Sequence, residues 1–222
     1  MHRSARLDAP DVEVTDFAGL AIGWDRRVLR PRPWTAEQGR WAADLLLGAP
    51  DGPILELCCG AGHIGLLAAH GSGRDLVQVD EDPTAAAYAR RNAEAARVRS
   101  DVRVGPLGSS LRAEERFPMV IADPPWLPMV GVAYPDEPVE PSTGAVEGVD
   151  ALHECVDVCL DHLAPDGHVV LQVGLSKQVE RLTGWLAEYA AADATVPERA
   201  VLGVRDRRPG GYLVHVGPSR GA

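Results

Sequence analysis

From Pro53 onward the chain alternates short apolar runs with longer segments of helical period, and this alternation limits the fold more than any single motif does. Pro53-Ile54-Leu55-Glu56-Leu57-Cys58 reads as a strand and His63 to His70 as a helix. Leu76 to Asp80 is a second strand. Pro83 to Arg97 is an Ala-rich helix with proline in its first turn. Val102 to Val104 and Met119 to Ala122 are the third and fourth strands. Val149 to Leu163 is a helix, His168 to Val173 a fifth strand, and Lys177 to Ala191 another helix. Ala200 to Val204 and Tyr212 to Val216, joined at Gly210-Gly211, read as a closing antiparallel pair. Apolar strands separated by helices imply an α/β fold with a mostly parallel sheet covered on both faces and right-handed crossovers.

Residues 1–34 read as irregular or strand-like, with Gly19, Gly23, Pro31, Pro33 and the apolar pair Val28-Leu29. A helix starts at Thr35 as N-cap and places Trp41, Leu45 and Leu46 on one face, ending at Gly48 to Gly52. The expected division is an N-terminal strand and helix extension capping the site (1–50) and a sheet domain (51–222).

At 222 residues the chain suits one domain able to bury about 70% of its unfolded surface. A net charge of −10 and no evident basic run disfavour a nucleic-acid partner. The 21 Arg to one Lys (Lys177) suggest nothing functional by themselves. Cys58, Cys59, Cys155 and Cys159 lack zinc-site spacing and read as buried small hydrophobes in a reducing cytosol. No stretch approaches membrane-spanning length, so the expected location is cytoplasmic. The oligomeric state is not legible.

Three constellations carry chemistry. Glu56 to Gly65 links the first strand of the alternation to its helix, and Gly60 and Gly62 let a ligand approach the backbone closely. Such loops lie at the carboxyl ends of parallel strands, where open sheets bind ligands. Val79-Asp80-Glu81-Asp82-Pro83 ends the next strand, and Asp80, 18 residues past Gly62, suits a ribose diol. Asp123-Pro124-Pro125-Trp126 ends the fourth strand. Two prolines stop the ladder and leave a rigid turn with a carboxylate, free carbonyls and an aromatic face. The topology sets this turn beside the glycine loop. The Pro-rich, acidic stretch Leu127 to Ala145 follows it as a long loop at a strand end.

In order and spacing these residues resemble class I S-adenosylmethionine-dependent methyltransferases acting on a planar NH2 nitrogen, and more narrowly the HemK/PrmC type, the protein glutamine N5-methyltransferases. Val28 to Thr35 is similar to that group's Leu-Ile-Pro-Arg-Pro-x-Thr-Glu segment, with Ala36 in place of the Glu, Arg91-Asn92-Ala93 to its Asn-Ala, Val139-Glu140-Pro141 to its Glu-Pro, and Glu147 to Asp150 to its Gly-Gly-x-Asp-Gly stretch. Gly174 and Gln178 match a Gly-x-x-x-Gln element. The likeness runs from about Phe17 to Leu182, without that group's N-terminal helical domain. Where the group has Asn and Tyr, this chain has Asp123 and Trp126. After the third strand, Gly105 to Ser110 lacks its acidic residue.

The resemblance implies a Rossmann-like class I methyltransferase fold with a seven-stranded, mostly parallel sheet and a C-terminal antiparallel strand pair. It implies S-adenosylmethionine as cofactor, contacted by Thr35, Glu56, Cys58, Gly60, Gly62, Ile64, Asp80, Glu81, Leu107 and Asp123. Glu56 would lie near the cofactor's amino group. Asp123 and the Pro124 carbonyl would accept the target's N–H bonds, Pro125 would stiffen the turn, and Trp126 would stack on a planar group. The expected acceptor is an amide or amine of a protein, peptide or small molecule, with an RNA or DNA amino group as the alternative. A non-catalytic cofactor-binding regulator and a nicotinamide-dependent oxidoreductase compete from other classes, but neither uses the Asp123 turn.

Overall fold

The computed structural model describes residues 11–125, 148–192, 197–207 and 211–219. Nine strands and five α-helices follow one another there as β1 (Glu13–Phe17), β2 (Leu20–Trp24), α1 (Ala36–Leu46), β3 (Ile54–Leu57), α2 (His63–Ser72), β4 (Leu76–Asp80), α3 (Pro83–Ala96), β5 (Ser100–Val104), β6 (Phe117–Ala122), α4 (Gly148–Asp161), β7 (Leu163–Val173), α5 (Ser176–Ala192), β8 (Arg199–Asp206) and β9 (Tyr212–Pro218).

Seven strands form one sheet in the order β5-β4-β3-β6-β7-β9-β8. The first five run parallel, and β9 pairs antiparallel with both β7 and β8. The strand order reverses between β3 and β6, where Leu57 stands opposite Ala122. The mostly parallel sheet is what the alternation implies, and the seven strands with a closing antiparallel pair are what the resemblance implies.

Residue alternation along each strand feeds two cores. Ile54, Leu76, Met119, Ile121, Val170 and Leu213 face α1, α2, α3 and the β1–β2 hairpin. Leu55, Leu57, Val120, Ala122, Leu171 and Val214 face α4 and α5. The hairpin turns at Ala18 and Gly19, both at positive φ, which matches the twist of a tight antiparallel pair. Its Phe17, Leu20, Ile22 and Trp24 enter the same core as Ile54 and Ile64, so residues 13–46 and the sheet share one interior.

Two local readings change. Thr35 does not cap α1 with its side chain. It ends a short 3-10 turn in helical conformation, and its hydroxyl donates to the Arg32 carbonyl at 2.8 Å. Strand β7 begins at Leu163, five residues before His168, because Leu163 pairs with Phe117 ahead of an irregularity in the β6–β7 register.

His215 Nε2 and His168 Nδ1 lie 3.0 Å apart between β9 and β7. Burial first, then the charges of His168 and Arg205, pull His215 down to about 4. The folded state therefore holds His215 neutral while the unfolded chain protonates it below about 6.5. Its contribution is complete above that pH and is lost as pH falls towards 4. Thermal melts at pH 7.5 and pH 4.5 should show a smaller acid-induced loss of stability in His215→Gln than in the parent chain.

Candidate functional site

The loop between β3 and α2 is held from below by a buried carboxyl. Glu56 is 2% exposed on the α2 side of β3. It accepts the Gly65 N–H at 2.8 Å and the Gln78 side-chain N–H at 2.6 Å. Gln78 also donates to the Gly62 carbonyl at 3.2 Å. Burial pushes Glu56 up to about 7 against the pull of these bonds, and the nearby charges of Asp80 and Asp123 add to the push. Glu56 thus supports the loop through its backbone. Gly65, which with Gly60 and Gly62 completes a Gly-x-Gly-x-x-Gly spacing, has a specific reason, since a Cβ there would collide with the Glu56 carboxylate.

Above this support the backbone turns sharply. Cys58, Gly60 and Gly62 all have positive φ, at 55°, 53° and 80°. For Cys58, a residue with a side chain, that conformation is strained, and such strain gathers at ligand sites. Among the described residues no atom lies within 4 Å of where a Cβ on Gly60 would be, so the backbone there is open to them, whereas Gly62 packs closely on Gln78 and Ala89. Cys58 meets Cys155 of α4; that thiol contact and burial push Cys58 up, and Cys159 and burial push Cys155 up. Ile64 is buried in the core at the start of α2.

Asp80, half-buried at the end of β4, closes the loop from the side. One carboxylate oxygen accepts the Gly60 N–H at 2.7 Å and the other accepts the Asp82 N–H at 2.9 Å. Each oxygen keeps a lone pair for a further donor. Burial raises its pKa. Glu81 beside it is exposed. The Gly105 N–H donates to the Asp80 carbonyl at 3.0 Å, which brings the turn after β5 alongside. Within that turn Leu107 packs into the core of the α4 face.

The parallel register of β3 and β6 sets Ala122 beside Leu57, so Asp123 emerges next to Cys58. Asp123 is half-buried, Pro124 buried and Pro125 exposed. The charge of Asp123 reaches both Glu56 and Cys58. Glu56, Asp80 and Asp123 therefore converge from three neighbouring strands. Trp126, the Leu127–Ala145 stretch and Val139-Glu140-Pro141 lie outside the described residues.

Sequence reasoning missed three side chains. Gln38 is fully buried, and its amide donates to the carbonyls of Ala122 at 2.9 Å and Val170 at 3.0 Å, tying α1 to the strand ends just before Asp123. Gln78 looked like one polar residue in an apolar strand. Asp25 anchors Arg27 and Tyr88. Asn92, noted only within the Asn-Ala likeness, accepts the Gly23 N–H at 2.8 Å and donates to Gly23 and Ala61, stitching the hairpin to the glycine loop. A polar residue inside an apolar face was the only available signal for Gln38 and Gln78.

Residues 43–133 match the family described as the methyltransferase small domain. That stretch of the chain is similar to this family. Its relatives are HemK-like. It is 28% identical over 181 residues to the ribosomal protein uL3 glutamine methyltransferase of Bradyrhizobium diazoefficiens, a match covering 72% of this chain and 55% of that protein. It is 27% identical to the release factor glutamine methyltransferase of Geobacter sulfurreducens, over 80% of this chain and 64% of that one. A uL3 glutamine methyltransferase of Xanthomonas campestris is 32% identical over 73% and 55%. The chain thus spans between 55% and 64% of the length of these relatives. Solved structures agree on the fold. They include the ribosomal protein L11 methylase of Lactobacillus delbrueckii (TM-score 0.62, 13% identity, 88% of this chain and 84% of that one) and M. jannaschii TYW2 in complex with AdoMet (TM-score 0.61, 12% identity, 94% and 86%). The domain match spans β3 to β6, which contains all three converging carboxyls.

Two substitutions test this construction. Ala outranks Gly in a helix by about 1 kcal/mol, yet Gly65→Ala should lower the melting temperature because its methyl collides with Glu56. Gln38→Met keeps the volume but removes the donor to two buried carbonyls, so urea unfolding should show a loss of about 1–3 kcal/mol.

Proposed function

We propose that this chain is an S-adenosylmethionine-dependent N-methyltransferase acting on a planar NH2 nitrogen of a protein, with a side-chain amide as the preferred acceptor. The observation that carries the proposal is the β3–β6 register, which presents the Asp123-Pro124 turn next to the glycine loop. The HemK-like relatives, named for glutamine methylation of a ribosomal protein and a release factor, support the amide and a cytoplasmic protein partner. Among the described residues no helix is long and apolar enough to cross a membrane.

The residues fit the cofactor. Gly60 offers open backbone, Gly62 turns the chain into α2, and Asp80 has acceptor capacity left for a diol. Cys58 and Ile64 flank the same loop, and Thr35 lies 3.4 Å from His63 at the start of α2. In this reading Asp80 holds the ribose hydroxyls and the Gly60–Gly62 backbone borders the methionine portion, while Glu81 and Leu107 lie at the ribose and adenine end. When bound, S-adenosylmethionine supplies a methyl group activated on a sulfonium.

The chain's own residues orient the acceptor. The Asp123 carboxylate and the Pro124 carbonyl take the two N–H bonds of the target, which fixes the plane of the nitrogen. The ionised Asp123 is a stronger acceptor than a neutral amide oxygen, and it stabilises positive charge developing on the nitrogen. Pro124 and Pro125 keep the turn from relaxing, and Trp126 supplies a flat wall for the acceptor's planar group. Orientation of this kind is worth at most roughly 7–11 kcal/mol. His63 takes no part as a base, because burial drops it to about 3 and it packs edge-on against Phe17.

Asp123→Ala should cut transfer of tritiated methyl into the proteins of a ribonuclease-treated extract by about 100-fold or more, given how much such orientation can contribute, while S-adenosylmethionine affinity by calorimetry stays near the parent value. Undiminished transfer by the variant would rule out the acceptor role.

A further inference from the structure

The chain carries −10 overall, yet Arg26, Arg27, Arg30 and Arg32 fall within seven residues, and no acid occurs from 26 to 34. This segment follows β2 and runs into the 3-10 turn before α1.

The segment is anchored at intervals. Val28, Pro31 and Thr35 are buried, while Arg26, Arg27, Leu29, Arg30, Pro33 and Trp34 are exposed. At its start Asp25, 1% exposed, accepts the Tyr88 hydroxyl at 2.5 Å and pairs with Arg27 at 2.6 Å. At its end the Thr35 hydroxyl donates to Arg32 and lies 3.4 Å from His63. Arg32 is near enough to His63 for its charge to help hold that imidazole neutral. The ridge therefore leads to the N-terminus of the helix that carries the glycine loop. Its outer surface combines guanidinium groups with two large apolar side chains, Leu29 at 52% and Trp34 at 42% exposure. Arg32 lies over the Trp34 ring at 5.6 Å, and Arg30 over Trp24 at 5.5 Å.

We infer that the Arg26–Trp34 ridge is the docking surface for the methyl acceptor, and that the acceptor is a polypeptide whose segment beside the target residue is acidic and carries an apolar side chain. This rests on the methyltransferase reading above. The remainder of the chain carries a net charge of −14, so this ridge is a local positive field on an acidic protein and orients the approach of an acidic segment. The same field disfavours a long polyanion. Nucleic acid typically engages basic groups at about six to ten phosphates, more than this ridge offers, while a peptide with two or three carboxylates fits it. Leu29 and Trp34 give such a peptide an apolar anchor.

The test uses the full chain and three fluorescein-labelled 12-residue probes. One is a Glu-rich peptide with central Leu and Gln, one is its Ser-for-Glu counterpart, and one is a single-stranded oligouridylate. Anisotropy is read at 20 and 200 mM NaCl on the parent chain, Arg26→Glu/Arg30→Glu, and the milder Arg26→Gln/Arg30→Gln. The acidic peptide should bind the parent at least about fivefold more tightly than the Ser peptide at low salt, and weaken as salt screens the contacts. Reversing two charges should weaken it about tenfold and neutralising them about threefold, from exposed ion pairs of modest strength. Melting temperature and S-adenosylmethionine affinity should not change in either variant. Equal binding of the acidic and Ser peptides, or indifference to both variants, overturns the inference. Tighter, Arg-dependent binding of the oligouridylate overturns it in favour of nucleic acid. A parent chain that docks the acidic peptide but binds no S-adenosylmethionine would sink the methyltransferase reading and leave the docking surface standing.

Discussion

The site depends on how two carboxyl groups hold one glycine loop. Asp80 takes the Gly60 N–H from the side, and Glu56 takes the Gly65 N–H from beneath. Backbone N–H groups buried without partners are costly. The sequence supplies partners from strand residues fixed by the sheet, so the loop keeps one shape while its outer backbone is left open among the described residues. The cost is burial of acidic groups, which raises both Glu56 and Asp80, and at Glu56 the charges of Asp80 and Asp123 add to the rise. A cofactor bearing positive charge suits such a field.

The same logic explains the N-terminal residues. Asn92 joins Gly23 of the hairpin to Ala61 of the loop, and Gln38 joins α1 to the ends of β6 and β7. Both are buried amides that bond to main chain, so they fix backbone positions more firmly than apolar contacts alone can. Residues ahead of the sheet thereby share in shaping the site's rim.

Much of this was legible from periodicity. The strand and helix alternation and the parallel sheet follow from apolar runs bounded by glycine and proline, whereas the neighbouring of β3 and β6 was an expectation of the assumed sheet topology. Asp80 and the three glycines were found because their spacing has a physical reason. Thr35 does stand at the N-cap position of α1, but the preceding turn claims its hydroxyl, so the side chain does not cap. The bonds from Gln38 to Ala122, Gln78 to Glu56 and Tyr88 to Asp25 were not legible, since these partners lie 84, 22 and 63 residues apart. The Arg26–Arg32 cluster was overlooked because net charge averages over the chain and hides a local reversal of sign.

The central claim is that the Gly60–Gly62 loop and Asp80 form a cofactor site of methyltransferase type. The most direct measurement is a calorimetric titration of the full chain with S-adenosylmethionine, with NAD as control, repeated on Asp80→Ala. The account predicts one saturable S-adenosylmethionine site, no heat from NAD, and affinity reduced about tenfold or more when the Asp80 carboxylate, a charge-assisted acceptor, is removed. No binding of S-adenosylmethionine, or equal affinity in Asp80→Ala, would contradict it.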